Sequence, residues 1–403
     1  MQCSSGTVGR RAQNLGPIDC STARNELRAR IARNLEFEKT GPKCHLRPKV
    51  RAEAPMSICK NLNVGLLFPF RNPPMWRKPF ADFYTDQLAQ TRLAEDLGYD
   101  EIWLTEHHFA EDGYSPAILP IAAAIAAITK HIRIGTYLVL LPLHNAVRIA
   151  EDAATIDIIS NGRFDLGVGQ GYAPGEFAAY GVNRKTRAGR LEEGVEVIRG
   201  AWTKDDFSFD GRHYKVKNIH LMPRPVQSPH PPLWIGAGAP KAIERAGRMG
   251  CHFMSLANPA AQETYDNALR QAGRNPDEFS AAQLHFCYVG RSTDEAWSHS
   301  QEHLHYMIKW YSRWLTESGD FLGANLPPLP EPSKLRESHL LFPLVVGNPQ
   351  DVASKLNASL AKVRTTHLVL GMNLPGLAPE RSRSSMELFA REVAPKLKPP
   401  AGA

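Results

Sequence analysis

The sequence predicts an α/β fold, a TIM-type (β/α)8 barrel over residues 61–398, with a loop insertion and a basic N-terminal extension. Three observations carry this. From Asn63 onward, short apolar runs alternate with amphipathic stretches, the pattern of repeated β-α units. Eight of those runs have the length and character of buried strands. The 403 residues, 43% of them hydrophobic, can bury one large core, and barrels commonly fill about 250 residues or more as a single domain.

The units follow in order. NVGLLFP (63–69) reads as the first strand. Residues 80–97 place Phe83, Leu88, Leu93, Ala94 and Leu97 on one helical face and end at Gly98, a suitable C-terminal cap. EIWLTEHHF (101–109) is a second strand, and a helix over 116–129 opens after Ser115 with Pro116 at its first position. IRIGTYLVLLP (132–142) reads as one buried strand, 145–159 as a helix, and Asn161-Gly162 turns the chain into RFDLGVG (163–169). A helix at 187–202 precedes a hairpin at 206–222, marked by Asp210-Gly211. Strands at 232–238, 251–256, 284–290 and 367–372 alternate with helices at 240–249, 260–272, 293–316 and 349–362. The Pro- and Leu-rich stretch 317–345 is expected to be an insertion over one end of the barrel, suited to serve as a lid.

Charge separates the first 60 residues from the rest. They hold twelve Lys and Arg against five Asp and Glu, which accounts for the whole formal charge of +7; the remainder carries 36 of each sign. A nucleic-acid binder is therefore not indicated. Poor apolar periodicity makes residues 1–60 an expected disordered extension, with an Arg-rich targeting peptide as the alternative. Four of six cysteines (Cys3, Cys20, Cys44, Cys59) lie there without C-x-x-C spacing, so neither a zinc site nor a disulfide framework is expected. No apolar run approaches the roughly 18 residues needed to span a membrane, and the N-terminus lacks a secretory apolar core. The expectation is a soluble, cytoplasmic protein that binds no membrane.

In a barrel, reacting groups come from the C-terminal ends of strands. The second strand ends in Glu106-His107-His108-Phe109. Strand alternation puts Trp103, Thr105 and His107 on one side and Ile102 and Leu104 on the helix side, so His107 is the candidate to face the mouth and move a proton. The competing reading is that Glu106 and the two histidines only bond loop backbone or form a metal site by chance. Adjacent histidines diverge, which makes joint ligation of a metal awkward, and no metal is expected. The fourth strand ends in Gly167-x-Gly169-x-Gly171, followed by Tyr172, which suits close backbone approach to a ligand or an ordinary tight turn. Gly236-Ala237-Gly238 precedes a helix whose free N–H groups can hold a phosphate. Phe68, Phe70, Trp76 and Phe109 would suit a hydrophobic substrate such as an aldehyde, alkane or terpene, or loop packing.

Taken in order, IWLTEHHF (102–109), IRIGTYLVLLPLHNAVRIAED (132–152), NGRFDLGVGQGY (161–172), PPLWIGAGAP (231–240) and VGNPQDVASKL (346–356) resemble the bacterial-luciferase-like flavin monooxygenases across about 61–395. The resemblance implies a barrel that binds reduced FMN and uses O2, through a C4a-peroxyflavin, to oxygenate a small organic substrate. It implies His107 as the residue assisting that chemistry, with His108 and Glu106 beside it. It implies Thr136, Tyr137 and Leu138 against the isoalloxazine, and the flavin phosphate near Gln170, Gly171, Tyr172 and the Gly236, Ala237, Gly238 turn. It further implies a homodimer. A separate NAD(P)H:flavin reductase is expected because no second nucleotide-binding domain is evident in the chain. One departure matters: the luciferase catalytic chain has arginine where this sequence has Gln170, and its reactive cysteine position is Gly169. The phosphate partner is then missing or supplied by another basic residue such as Lys241. Hydride transfer with deazaflavin (F420) is the first alternative, and a non-catalytic flavin-binding protein the second.

Overall fold

The computed structural model describes residues 57–320, 326–338 and 343–398. The strands are β1 (Asn63–Phe68), β2 (Glu101–Leu104), β3 (Arg133–Thr136), β4 (Val139–Leu140), β5 (Phe164–Gly169), β6 (Phe207–Asp210), β7 (Lys215–Ile219), β8 (Leu233–Gly236), β9 (His252–Ser255), β10 (Ala281–Val289), β11 (Leu344–Gly347) and β12 (His367–Gly371). Parallel pairing runs β1-β2-β3-β5-β8-β9-β10-β12, and β12 returns to β1 with Asn63 against His367, so eight strands close a barrel. The helices are α1 (Phe80–Asp96), α2 (Ile118–Ile128), α3 (Ala146–Ser160), α4 (Pro174–Ala179), α5 (Arg187–Thr203), α6 (Pro240–Arg248), α7 (Pro259–Gln271), α8 (Thr293–Ser318), α9 (Pro349–Leu360) and α10 (Pro379–Leu388). No described helix is long and apolar enough to cross a membrane.

Local chemistry explains many of these boundaries. Asn145, Asn258, Ser292 and Asn348 accept backbone N–H groups at the starts of α3, α7, α8 and α9. Proline occupies the first turn of α6, α7, α9 and α10, where its missing N–H costs nothing. Asn161 and Gly162 both take positive φ to turn α3 into β5. Two apolar layers result. Ile102 and Leu104 join the core between strands and helices, whereas Trp103 joins Trp234 and Met254 inside the barrel, as strand alternation requires.

Several boundaries differ from the sequence reading. The second strand stops at Leu104; beyond it the Ser115 hydroxyl donates to Thr105 O at 2.6 Å and the Ser115 N–H to Pro69 O at 3.2 Å, drawing the chain into a loop. Ser115 thus anchors that loop and does not cap α2, which starts at Ile118 after Ala117. The run 132–142 is not one strand. It breaks after Thr136, resumes as the two-residue β4 and ends in a 3-10 turn at Leu141–Leu143. A continuous apolar run has no periodicity to reveal such a break. The described part of the insertion contains a 3-10 turn, Pro332–Glu337, and β11, which pairs with the far half of β10. The expected extension lies outside the described residues up to position 56, as do insertion residues 321–325 and 339–342.

Half-buried His252 and buried His285 predict acid sensitivity. His252 Nδ1 accepts the Ser280 N–H at 3.0 Å, and its ring lies 4.8 Å from that of Trp234. Burial, then the charges of His367 and His230, push its pKa down to about 4; burial does the same for His285. A folded pKa below the unfolded value near 6.5 means that the neutral form stabilises the fold. That stability is complete above pH 6.5 and is lost as pH falls toward 4. Between pH 6.5 and 5 each histidine should therefore cost the wild type about 1.5 kcal/mol. Urea unfolding of wild type and His252→Asn at both pH values measures it; equal losses in the two proteins would discard this assignment.

Candidate active site

The ends of β1, β2, β3, β5 and β8 converge at one mouth of the barrel, the position from which barrel enzymes draw their reacting groups. Beyond β2, His107 and His108 point into different surroundings. His107 Nδ1 is 2.9 Å from Glu176 Oε1, an oxygen that also accepts the His108 backbone N–H at 2.8 Å. His107 Nε2 lies 3.3 Å from the Tyr172 hydroxyl. The imidazole stacks on Trp314, centroids 4.2 Å apart, and meets the Tyr114 ring edge-on at 4.8 Å. With Nδ1–H donated to the carboxylate, Nε2 is left as the nitrogen that can take up or return a proton. Only 5% of His107 is exposed, so water has little access to it.

His108 belongs to a second cluster. Its Nε2–H donates to Glu106 Oε1 at 2.6 Å, His144 Nε2 donates to the same oxygen at 2.7 Å, and Leu140 N–H donates to Oε2 at 3.1 Å. The Tyr180 hydroxyl lies 3.1 Å from His108 Nδ1. Burial alone would raise the Glu106 pKa, but the hydrogen bonds and charges of the two histidines outweigh it and hold the carboxyl below its usual value. Burial would likewise lower the His144 pKa, but Glu106 and, more weakly, Asp152 raise it. The potential ligand atoms of Glu106, His108 and His144 lie within 4.8 Å of one another. Two ligands of one tetrahedral zinc sit about 3.3 Å apart, so the 2.6 and 2.7 Å contacts describe hydrogen bonds.

The remaining expected positions occupy the same mouth. The Thr136 hydroxyl donates to Gly167 O at 2.7 Å and accepts its N–H at 2.9 Å, so it is committed to joining β3 to β5. The Tyr137 hydroxyl donates to Ser255 O at 3.1 Å, and the Tyr137–Leu138 peptide is cis. The Leu138 side chain fills space that Cβ atoms would need at Gly169 and Gly236, 2.5 and 2.6 Å from its Cδ1. Gln170 is half-buried, and Gly171 turns the chain at φ +67°, which glycine adopts without steric cost. This turn delivers Tyr172 to His107. Gly236 closes β8, Ala237 N–H donates to Met254 O at 3.3 Å, and Gly238 is exposed ahead of α6, whose start no side chain caps. Lys241 is exposed on the first turn of α6.

Sequence reasoning missed the groups that hold these residues. Glu176 sits on α4, a six-residue helix with too few turns to show a period. Tyr311 and Trp314 reach the mouth from α8, where nothing local distinguishes them from surface aromatics. His144 stands within the segment 132–152 but was not singled out. Arg71, three residues past β1, is fully buried and bonded through Nε to Asp112 Oδ2 at 2.6 Å. Its strand-end position was a usable signal. Of the aromatic residues expected at the mouth, Phe68 and Phe70 are wholly buried in the core between barrel and helices, Trp76 packs on His303 at 4.4 Å, and Phe109 is 72% exposed.

A closed barrel with buried histidine–carboxylate pairs at its strand ends has the architecture of a barrel enzyme. Residues 62–367 match the family model of luciferase-like monooxygenases, and the chain belongs to that family of oxidoreductases. It is 25% identical over 333 residues to the oxygenase component of flavin-dependent trigonelline monooxygenase from Acinetobacter baylyi, covering 77% of this chain and 89% of the relative. It is 34% identical over 218 residues to the F420-dependent glucose-6-phosphate dehydrogenase of Amycolatopsis mediterranei, covering 52% and 64%. Among solved structures, monooxygenase RslO1 from Streptomyces bottropensis superposes with a TM-score of 0.72 at 26% identity, over 82% of this chain and 98% of that one.

Proposed function

We propose that the chain is the oxygenase component of a two-component monooxygenase, using reduced FMN and O2 to oxygenate a small organic substrate, with FMNH2 delivered by a separate NAD(P)H:flavin reductase. The observation that carries this is the buried His107, fixed at Nδ1 by Glu176 and presenting Nε2 to Tyr172 within an aromatic wall. A relative matched over 89% of its length is itself named as the oxygenase component of a flavin-dependent monooxygenase.

The residues present fit a flavin. Gly169 and Gly236 leave the Leu138 side chain room between two strand ends, and the uncapped start of α6 beside Gly236–Gly238 offers N–H groups to a phosphate. When bound, reduced flavin supplies the electrons that activate O2. The protein binds and orients. Thr136 ties the Tyr137–Leu138 segment to β5, His107 holds or moves a proton at Nε2, and Trp314, Tyr114 and Tyr172 keep water away from it. His108 and Glu106 fix the loop that carries His107. A homodimer, expected from the family resemblance, belongs to the same proposal.

Hydride transfer with F420 is the second reading, favoured by the neutral Gln170 and by an F420-dependent relative. Anaerobic titration with reduced FMN and, separately, reduced F420, followed by an oxygen pulse, separates the two. FMN binding with altered reoxidation kinetics supports the oxygenase, whereas binding of F420 alone moves the protein to hydride transfer. If an FMN phosphate lies unpaired near Gln170, Gln170→Arg should tighten FMN by about tenfold, the worth of one charge-assisted hydrogen bond. An unaltered or weaker dissociation constant would put the phosphate elsewhere.

A further inference from the structure

Arg71 is held at one end and unsatisfied at the other. Its side chain is 0% exposed, and Nε donates to Asp112 Oδ2 at 2.6 Å. Asp112 also accepts the Tyr306 O–H and the Tyr114 N–H, each at 3.1 Å. Nη1 and Nη2, with four N–H groups between them, are buried without a hydrogen-bond acceptor. What surrounds the guanidinium is aromatic: Tyr114 at 4.8 Å, Tyr306 at 5.2 Å, Trp314 at 5.8 Å and Tyr311 at 6.0 Å from ring centroids. These rings attract the cation but cannot replace the acceptors lost from water.

The arrangement costs stability. A buried unsatisfied donor is worth about 1–3 kcal/mol against folding, and buried ion pairs can often be exchanged for apolar side chains without loss. A fold needing only packing at this point has no use for an arginine. Arg71 also lines a cavity of about 10 Å³, room for roughly one water, with Leu67, Phe286, Met307 and Leu374 as apolar walls and Asn373 and Tyr311 beside them. Among these walls Met307 is unbranched and flexible, and methionine adapts readily to a larger group. Tyr311 links the cavity to His107, the ring centroids being 6.2 Å apart. Tyr114 and Tyr311, hydroxyls 2.8 Å apart, contact both the Arg71 guanidinium and the His107 ring.

We infer that Arg71 is the anchor for a substrate carboxylate, and that the substrate class is an organic acid with an otherwise apolar body. The Nη1/Nη2 edge left open by Asp112 is the fork that matches a carboxylate with two parallel hydrogen bonds. The apolar walls receive the rest of the molecule, on the other side of Tyr114 and Tyr311 from His107. This deepens the function proposed above and rests on it for what becomes of the acid once bound; the binding itself needs no flavin.

Calorimetric titration of the purified protein, with and without reduced FMN, tests it using benzoate, phenylacetate and hexanoate, each against its primary amide. At least one acid should bind about tenfold or more tighter than its amide, as a charge-assisted hydrogen bond requires. Arg71→Met should abolish the preference. Because that change orphans Asp112, the paired variant Arg71→Met/Asp112→Asn is measured beside it, with folding checked by circular dichroism. Equal affinity for acid and amide, no binding of any acid, or a preference that survives in the folded paired variant would each overturn the assignment and leave a buried water as the partner of Nη1 and Nη2. The two readings fail separately. Acid preference in a protein that binds no FMN keeps Arg71 and overturns the cofactor, and FMN binding without acid preference does the reverse.

Discussion

Turnover of the His107→Ala protein is expected to fall by about 10² or more, the usual worth of a positioned general acid or base. Glu176 fixes the ring at Nδ1, Trp314 and Tyr114 fix its plane, and Nε2 alone is free to exchange a proton with a group in the mouth. Alanine removes that nitrogen but also a ring packed on Trp314, so His107→Gln is the necessary companion. Glutamine fills part of the space and can still bond Glu176, yet it cannot carry a proton at neutral pH. If both variants lose turnover while retaining FMN and their fold, His107 handles a proton. If glutamine restores turnover, the histidine positions a neighbour instead. Unchanged substrate-dependent oxygen consumption in both would remove His107 from the chemistry.

This test could be designed from the sequence because the relevant geometry is local. Strand alternation separates Trp103 from Ile102 and Leu104; His107 and His108 also diverge, though in the loop beyond β2 it is their bonds to Glu176 and Glu106 that set them apart. Eight strands were countable because most are short, apolar and flanked by Gly, Pro or Asn. Three things were not legible. The interruption at Tyr137–Leu138 lies inside an unbroken apolar run, where burial on both sides erases any period. The strand β11 and the helices α4 and α10 are short or set among prolines, and tertiary contacts decide them. Most consequentially, the partners of the histidines come from distant segments: Glu176 is 69 residues from His107, and Trp314 reaches it from α8. A sequence shows which residues can do chemistry at a strand end. It does not show which carboxylate fixes which ring.

Replacing Glu106 by alanine is expected to cost about 3–5 kcal/mol of unfolding free energy, the range for removing one partner from a buried ionic cluster. The carboxylate is 3% exposed and accepts three donors, from His108, His144 and Leu140, all of which would lose their acceptor together. Glu106→Gln keeps the shape and one acceptor oxygen, so it should cost less. The pH dependence distinguishes lost charge from lost packing. The Glu106 pKa is lowered, so its contribution is present above the unfolded value near 4.5 and fades as pH falls through the folded one. The His144 pKa is raised, so its contribution is complete below about 6.5 and fades as pH rises through the folded value. The cluster is therefore most stabilising between about pH 4.5 and 6.5, and the gap between wild type and Glu106→Gln should be larger at pH 5.5 than at pH 8. Chemical denaturation at the two pH values reads this directly. A gap independent of pH would make Glu106 a packing residue, and a cost for alanine below about 1 kcal/mol would mean that water or neighbouring backbone takes over its three donors. In either case the loop carrying His107 would be anchored by Glu176 and Ser115 and not by the charge of Glu106.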